Sequence, residues 1–121
     1  MEKIILHKED FGVDGQLLKN PDTEKMIVAS KQSIYLRDAE AKYCKICFKG
    51  NAENAGGYLI INGEYDVPVN SVSVMEIKPP VSMDIAVAVS AESELYIDEI
   101  SFEELDAYED LTEQCDEENN V

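Results

Sequence analysis

Tryptophan is absent from this 121-residue chain, histidine occurs once, as His7, and cysteine three times, as Cys44, Cys47 and Cys115. Each scarcity narrows the function. A single histidine with nothing nearby to orient it gives no basis for a Ser-His-Asp or Cys-His relay. Three thiols cannot all pair with one another, and without an export signal free thiols are the expectation. No run of about 18 apolar residues is present, so no membrane-spanning helix is expected. The first ten residues offer only Ile4-Ile5-Leu6 before charge resumes. A secretory signal needs roughly 7 to 15 apolar residues, which makes a cytoplasmic location the expectation.

Positive charge is the other shortage. Ten Lys and Arg face 26 Asp and Glu, for a net charge of -16. No Lys or Arg follows Lys78, whereas Glu92 to Glu118 holds thirteen carboxylates. Such a balance argues against binding nucleic acid or an anionic membrane through charge. The first 78 residues are close to neutral, so the acidity belongs to the end of the chain.

What the chain does have is alternation. Met83 to Ser90 alternates apolar with small or polar residues, and Glu94 to Phe102 is a half-apolar run with Asp98-Glu99 in its middle. A period of two marks strands with one buried face. Ala91-Glu92-Ser93 between them is short and polar, which predicts a hairpin. Further strands are predicted at 3–7, 26–30, 33–37, 43–49, 58–61 and 72–77. Tyr58-Leu59-Ile60-Ile61 is apolar on both faces and reads as a central strand. Asn62-Gly63 is a turn pair, since both residues tolerate positive φ. Lys78-Pro79-Pro80 ends the strand before it. The fold expected is an all-β, antiparallel two-sheet β-sandwich spanning residues 1–104, with Cys44, Ile46, Phe48, Ile85, Val87, Val89, Leu95 and Ile97 inside. Residues 105–121 are an acidic tail in which Leu105, Tyr108, Leu111 and Cys115 stand at helical spacing. The tail is either a linker or a short docked helix.

Cys44-Lys45-Ile46-Cys47 has the spacing of a zinc or redox motif, but an alternating strand sends its two thiols to opposite faces. Cys44 is more simply a small core residue. The carboxylates occupy polar positions, without the apolar pocket that a glycosidase acid requires. A non-catalytic chain is expected.

From Tyr43 onward the order of pieces resembles a carbohydrate-binding module of the β-jelly-roll type, as appended to xylanases and β-glucanases. The likeness rests on Lys42-Tyr43 through Lys49-Gly50, on Gly56-Gly57-Tyr58, on Met83 through Ser90, and on Leu95-Tyr96-Ile97-Asp98-Glu99-Ile100. It covers residues 43–104 and leaves the first 40 poorly matched. The resemblance implies a jelly roll that contacts a glycan or glycoconjugate. It also implies a structural calcium ion held in part by Asp98; the family's other ligands come from N-terminal strands that have no match here, where Asp10 and Asp14 are the available carboxylates. The competing account of Asp98-Glu99 is a β-bulge with solvated carboxylates.

Sugar-binding modules present flat aromatic faces to a sugar ring, and without Trp that role falls to tyrosine. Tyr43, Tyr58 and Tyr65 are the candidates. On the strand from Met83 to Ser90 the outward positions are Asp84, Ala86, Ala88 and Ser90, where two alanines leave room for a ligand beside Asp84. The expected role is that of an N-terminal accessory domain, fused to a C-terminal catalytic domain such as a glycosyltransferase. The alternative is a protein-interaction or scaffolding sandwich that binds no sugar.

Overall fold

The computed structural model describes residues 3–7, 10, 18–37, 40–53 and 56–108. They form β1 (Lys3–Leu6), β2 (Leu18–Lys19), β3 (Ile27–Leu36), β4 (Tyr43–Glu53), β5 (Gly57–Ile61), β6 (Tyr65–Pro68), β7 (Ser71–Glu76), β8 (Val81–Val89) and β9 (Glu94–Leu105). No helix longer than a single turn occurs among the described residues. A five-stranded sheet runs β1-β9-β4-β7, with β2 also paired to β9, and a four-stranded sheet runs β3-β8-β5-β6. Every pairing is antiparallel. The molecule is the all-β sandwich that the alternation predicts.

The core lies between the sheets. Cys44, Ile46 and Phe48 of β4 are fully buried and pair in register with Glu104, Phe102 and Ile100 of β9. Facing them are Ile85, Val87 and Val89 of β8, also fully buried, with Leu59 and Ile61 of β5. All eight core positions expected from the pattern are buried. Period-two alternation is a local property of the chain, and it assigns inward and outward faces without knowledge of the partner strand.

Connectivity departs from expectation in four places. Residues 91–93 do not close a hairpin: β8 and β9 belong to different sheets, and the segment carries the chain round the edge of the sandwich. Ser93 fills this corner, 1 % exposed, its Oγ accepting the Gly56 N–H at 3.1 Å and its N–H donating to Ser90 O at 3.1 Å. The two strands expected at 26–30 and 33–37 are one, β3, with a register shift between Val28 and Ser30. Strand β4 continues through Gly50 to Glu53, past its predicted end at Lys49. Two short strands, β2 and β6, carry too little pattern to be predicted.

Gly50 shows why a glycine stands within β4. The register of β4 on β9 shifts between Lys49 and Gly50, which pair with Glu99 and Ile97 and leave Asp98 as the extra, bulged residue. A Cβ at Gly50 would collide with the Tyr96 carbonyl oxygen and lie 3.2 Å from Val69 Cγ2. Backbone cannot yield as a flexible side chain can. Gly50→Ala is expected to lower stability by about 1–3 kcal/mol through overpacking. Urea denaturation reads this directly, and an unchanged midpoint would mean that the bulge has room for a side chain.

Candidate functional site

The outer face of the four-stranded sheet is built from the alternate residues of three strands. Lys31, Ser33 and Tyr35 of β3 stand in register with Ala86, Asp84 and Ser82 of β8, and Tyr58 and Ile60 of β5 stand opposite Ala88 and Ala86. Antiparallel partners share a face, so these side chains form one surface. Across it runs a trough of about 460 Å³ lined by Val28, Lys31, Ile60, Asn62, Gly63, Asp84, Ile85 and Ala86. The small Ala86 makes the floor low, while the larger residues on β3 and β5 form the walls.

One end of the trough is fixed by the turn after β5. Asn62 and Gly63 take positive φ, 52° and 75°, as the sequence anticipates. The turn is stitched to β8 twice: Asn62 N–H donates to Asp84 O at 2.8 Å, and Asp84 N–H donates to Asn62 Oδ1 at 2.9 Å. The Asp84 carboxylate accepts the Ser33 hydroxyl at 2.8 Å and remains exposed. Its second oxygen and the exposed Lys31 give the trough an acceptor and a donor of opposite charge.

The structure separates the four candidate ligand-binding residues. Asp84 lines the trough, and Tyr58, half-buried, shares its sheet face. Tyr65 begins β6 opposite Ile61, and its side chain is outside what the structure describes. Tyr43 belongs to the other sheet, where it lines a second hollow of about 460 Å³ with Lys42, Glu76, Ile77 and Lys78. Its ring meets Tyr108 edge-on, with centroids 5.9 Å apart. No aromatic side chain lines the trough among the described residues; its apolar surface is aliphatic. The contributions of Val28, Lys31 and Ile60 are not foreseen by the sequence reading. The signal for Ile60 is present, because Tyr58–Ile61 is apolar on both faces, and the outer apolar residue is the wall of the trough rather than the mark of a covered sheet.

Asp98 is exposed and is the bulged residue of β9. Its carbonyl oxygen lies 3.4 Å from His7 Nδ1, and the His7 N–H donates to Asp10 Oδ2 at 2.8 Å. Calcium takes six to eight oxygen ligands. Among the described residues no group of three or more His, Cys, Asp or Glu side chains is gathered as a cation site, and Asp14 lies outside them.

The cysteines behave differently from one another. Cys44 is a free thiol, fully buried, and is pushed from its ordinary pKa of 9.0 up to about 12. Burial is the main cause, followed by the charges of Glu104 and Glu103. Glu104, opposite Cys44 in the register, is itself only 1 % exposed. A thiol so placed stays protonated at neutral pH and is not a nucleophile. Cys47, against the expectation of free thiols, is disulfide-bonded. Its partner is a matter of three-dimensional proximity, which spacing along the chain does not encode.

No protein-family model matches this chain, and no significant match occurs among curated proteins or among solved structures.

Proposed function

We propose that this chain is a non-catalytic carbohydrate-binding module that seats a glycan in the trough across its four-stranded sheet. The observation that carries the reading is the trough itself, with a low floor at Ala86, aliphatic walls at Val28 and Ile60, and polar groups from Lys31, Asn62 and Asp84. A pyranose ring has the matching character, with C–H groups on its faces and hydroxyls round its edge. The carboxylate of Asp84 accepts from two hydroxyls of one sugar, and such charge-assisted bonds are the stronger kind. The volume falls within the range of small-ligand sites. The strand order supports the resemblance as well. With the two-residue β2 set aside, the eight remaining strands follow the order 1-8-3-6 in one sheet and 2-7-4-5 in the other, the winding of a jelly roll.

Titrating the labelled chain with β-linked xylo- and gluco-oligosaccharides, and following its amide resonances, tests this reading. Shifts are expected at Ile60, Asp84 and Ala86, with little dependence on salt. Asp84→Ala is expected to weaken binding roughly tenfold, the worth of about 1.4 kcal/mol in hydrogen bonds to a charged group. Ala86→Leu, which raises the floor, should weaken it at least as much while leaving the melting temperature within a few degrees. A titration without shifts at millimolar sugar across the whole panel would sink the proposal.

A second reading has its own observation. Val28 and Tyr35, on this same face, are 54 % and 53 % exposed, an apolar surface suited to protein docking. Under that reading Val28→Asp would abolish co-purification of a partner, and sugars would shift nothing.

A further inference from the structure

We infer that the second hollow, at one end of the five-stranded sheet, binds an acidic sugar: a uronate residue whose carboxylate rests on Lys42 and Lys78 while its ring lies against Tyr43. The inference rests on the preceding reading only in taking sugars as the ligand class, since the hollow shares no lining residue with the trough.

The hollow is built where β4 begins and β7 ends. Tyr43 stands in register with Glu76. One step further along, the Ile77 N–H donates to Lys42 O at 3.0 Å, and the Lys42 N–H donates to Leu105 O at 2.8 Å. These bonds tie the two segments together beyond the last ladder pair, so the backbone under the hollow is fixed. Ile77 is buried and anchors its segment in the core, whereas Lys42, Glu76 and Lys78 are exposed. Tyr43 is half-buried, and its ring is braced edge-on by Tyr108. The backbone thus sorts the polar groups into two pairs, with Tyr43 and Glu76 at one level and Lys42 and Lys78 at the next.

Charge selects the ligand. Over the whole chain ten cations face 26 carboxylates, but this hollow is lined by two cations and one carboxylate. A bare inorganic anion would meet the lysines, leave Tyr43 unused and be repelled by Glu76. A neutral sugar would cover two ammonium groups without bringing a charge to pair with them. A uronate uses every group. Its carboxylate accepts charge-assisted bonds from Lys42 and Lys78, its C–H face packs on the Tyr43 ring, and a ring hydroxyl donates to Glu76. The volume of about 460 Å³ suits a ligand of that size. A polyanion such as nucleic acid is opposed by the net charge of -16.

The test titrates the labelled full chain with tri-galacturonate, with neutral xylo-oligosaccharides and with sodium sulfate. Tri-galacturonate is expected to shift the amides of Tyr43, Ile77 and Lys78, and its affinity should fall as salt is added. Lys78→Ala, an exposed change that leaves the core intact, is expected to weaken it about tenfold, the worth of one bond to a charged group. Lys25→Ala removes an equal charge near Val89, at the far end of β8, and should change nothing. Neutral sugars shifting the same three amides as strongly would overturn the selection for an acid, and sulfate doing so would overturn the sugar. Tri-galacturonate shifts confined to Ile60, Asp84 and Ala86, or no shifts at millimolar concentration, would overturn the second site while leaving the trough reading to its own titration. Binding at Tyr43 with a silent trough would sink that reading alone.

Discussion

Phe48→Ala is expected to cost about 3–5 kcal/mol of folding stability, the range for deleting a fully buried aromatic ring. Phe48 is 0 % exposed and lies in β4 between β7 and β9, opposite Ser71 on one side and Ile100 on the other. Removing the ring sacrifices its transfer free energy and leaves a cavity. The neighbouring strands cannot collapse into that space, because both are fixed by their ladders on β4. In a domain of this size the melting temperature should fall by roughly 10–20 °C. A useful contrast is Val28→Ala on the outer face, 54 % exposed, where the change should stay within about 0.5 kcal/mol. Paired urea titrations of the two variants would show the difference, and a loss below about 1 kcal/mol for Phe48→Ala would mean that the ring is not packed.

The second large effect appears with pH. Cys44 keeps its proton up to about pH 12 in the folded protein, whereas an ordinary thiol releases it near 9.0. Below pH 9 both states are protonated and the contribution of Cys44 is fully present. Between pH 9 and 12 only the unfolded chain ionises, which favours unfolding, so stability is lost as the pH rises through that window. The full span is worth on the order of 4 kcal/mol, and at pH 10.5 about half of it has gone. Other groups titrate there too, so the comparison must be with Cys44→Ala. Relative to its value at pH 8, the stability difference between wild type and Cys44→Ala should move about 2 kcal/mol in favour of the variant by pH 10.5. A difference that stays constant with pH would show that Cys44 ionises freely in the native state. Because burial outweighs the charge of Glu104, Glu104→Gln should remove only the smaller part of the effect.

The faces of this sandwich are legible in its residues because side-chain alternation is local: Met83 to Ser90 and Tyr43 to Lys49 declare their buried sides unaided. Which strand sits beside which is not local. Ala91-Glu92-Ser93 has the composition of a hairpin turn, and the same composition serves a corner between sheets; only the contacts of buried Ser93 decide. Gly50 reads as a breaker, yet β4 passes through it because the bulge at Asp98 calls for a residue without a Cβ. Strand β6 is obscured by Asp66 and Pro68, residues that an edge strand tolerates and a central one does not. The open face over Ala86 is visible in sequence, but its walls come from β3 and β5, whose distance along the chain hides their adjacency. Tyr43 and Tyr58 are equally plausible platforms by residue type, and only the division into sheets sets them on opposite sides.

The order of the strands also determines when the molecule comes into being. Of the described strands, β9 is the last to be synthesised, yet it lies between β1 and β4 and carries β2 as well. The four-stranded sheet has all its members once Val89 has left the ribosome, whereas β1, the first strand made, has no partner until Glu94–Leu105 emerges. Closing the longest separations in the chain is then the final step, and such non-local pairing places folding in the millisecond-to-second range. A nascent chain halted before Glu94 would expose the apolar edge of β4 with nothing to cover it. Among the described strands it is β9, made after all the others, that joins the first to the middle of the sandwich.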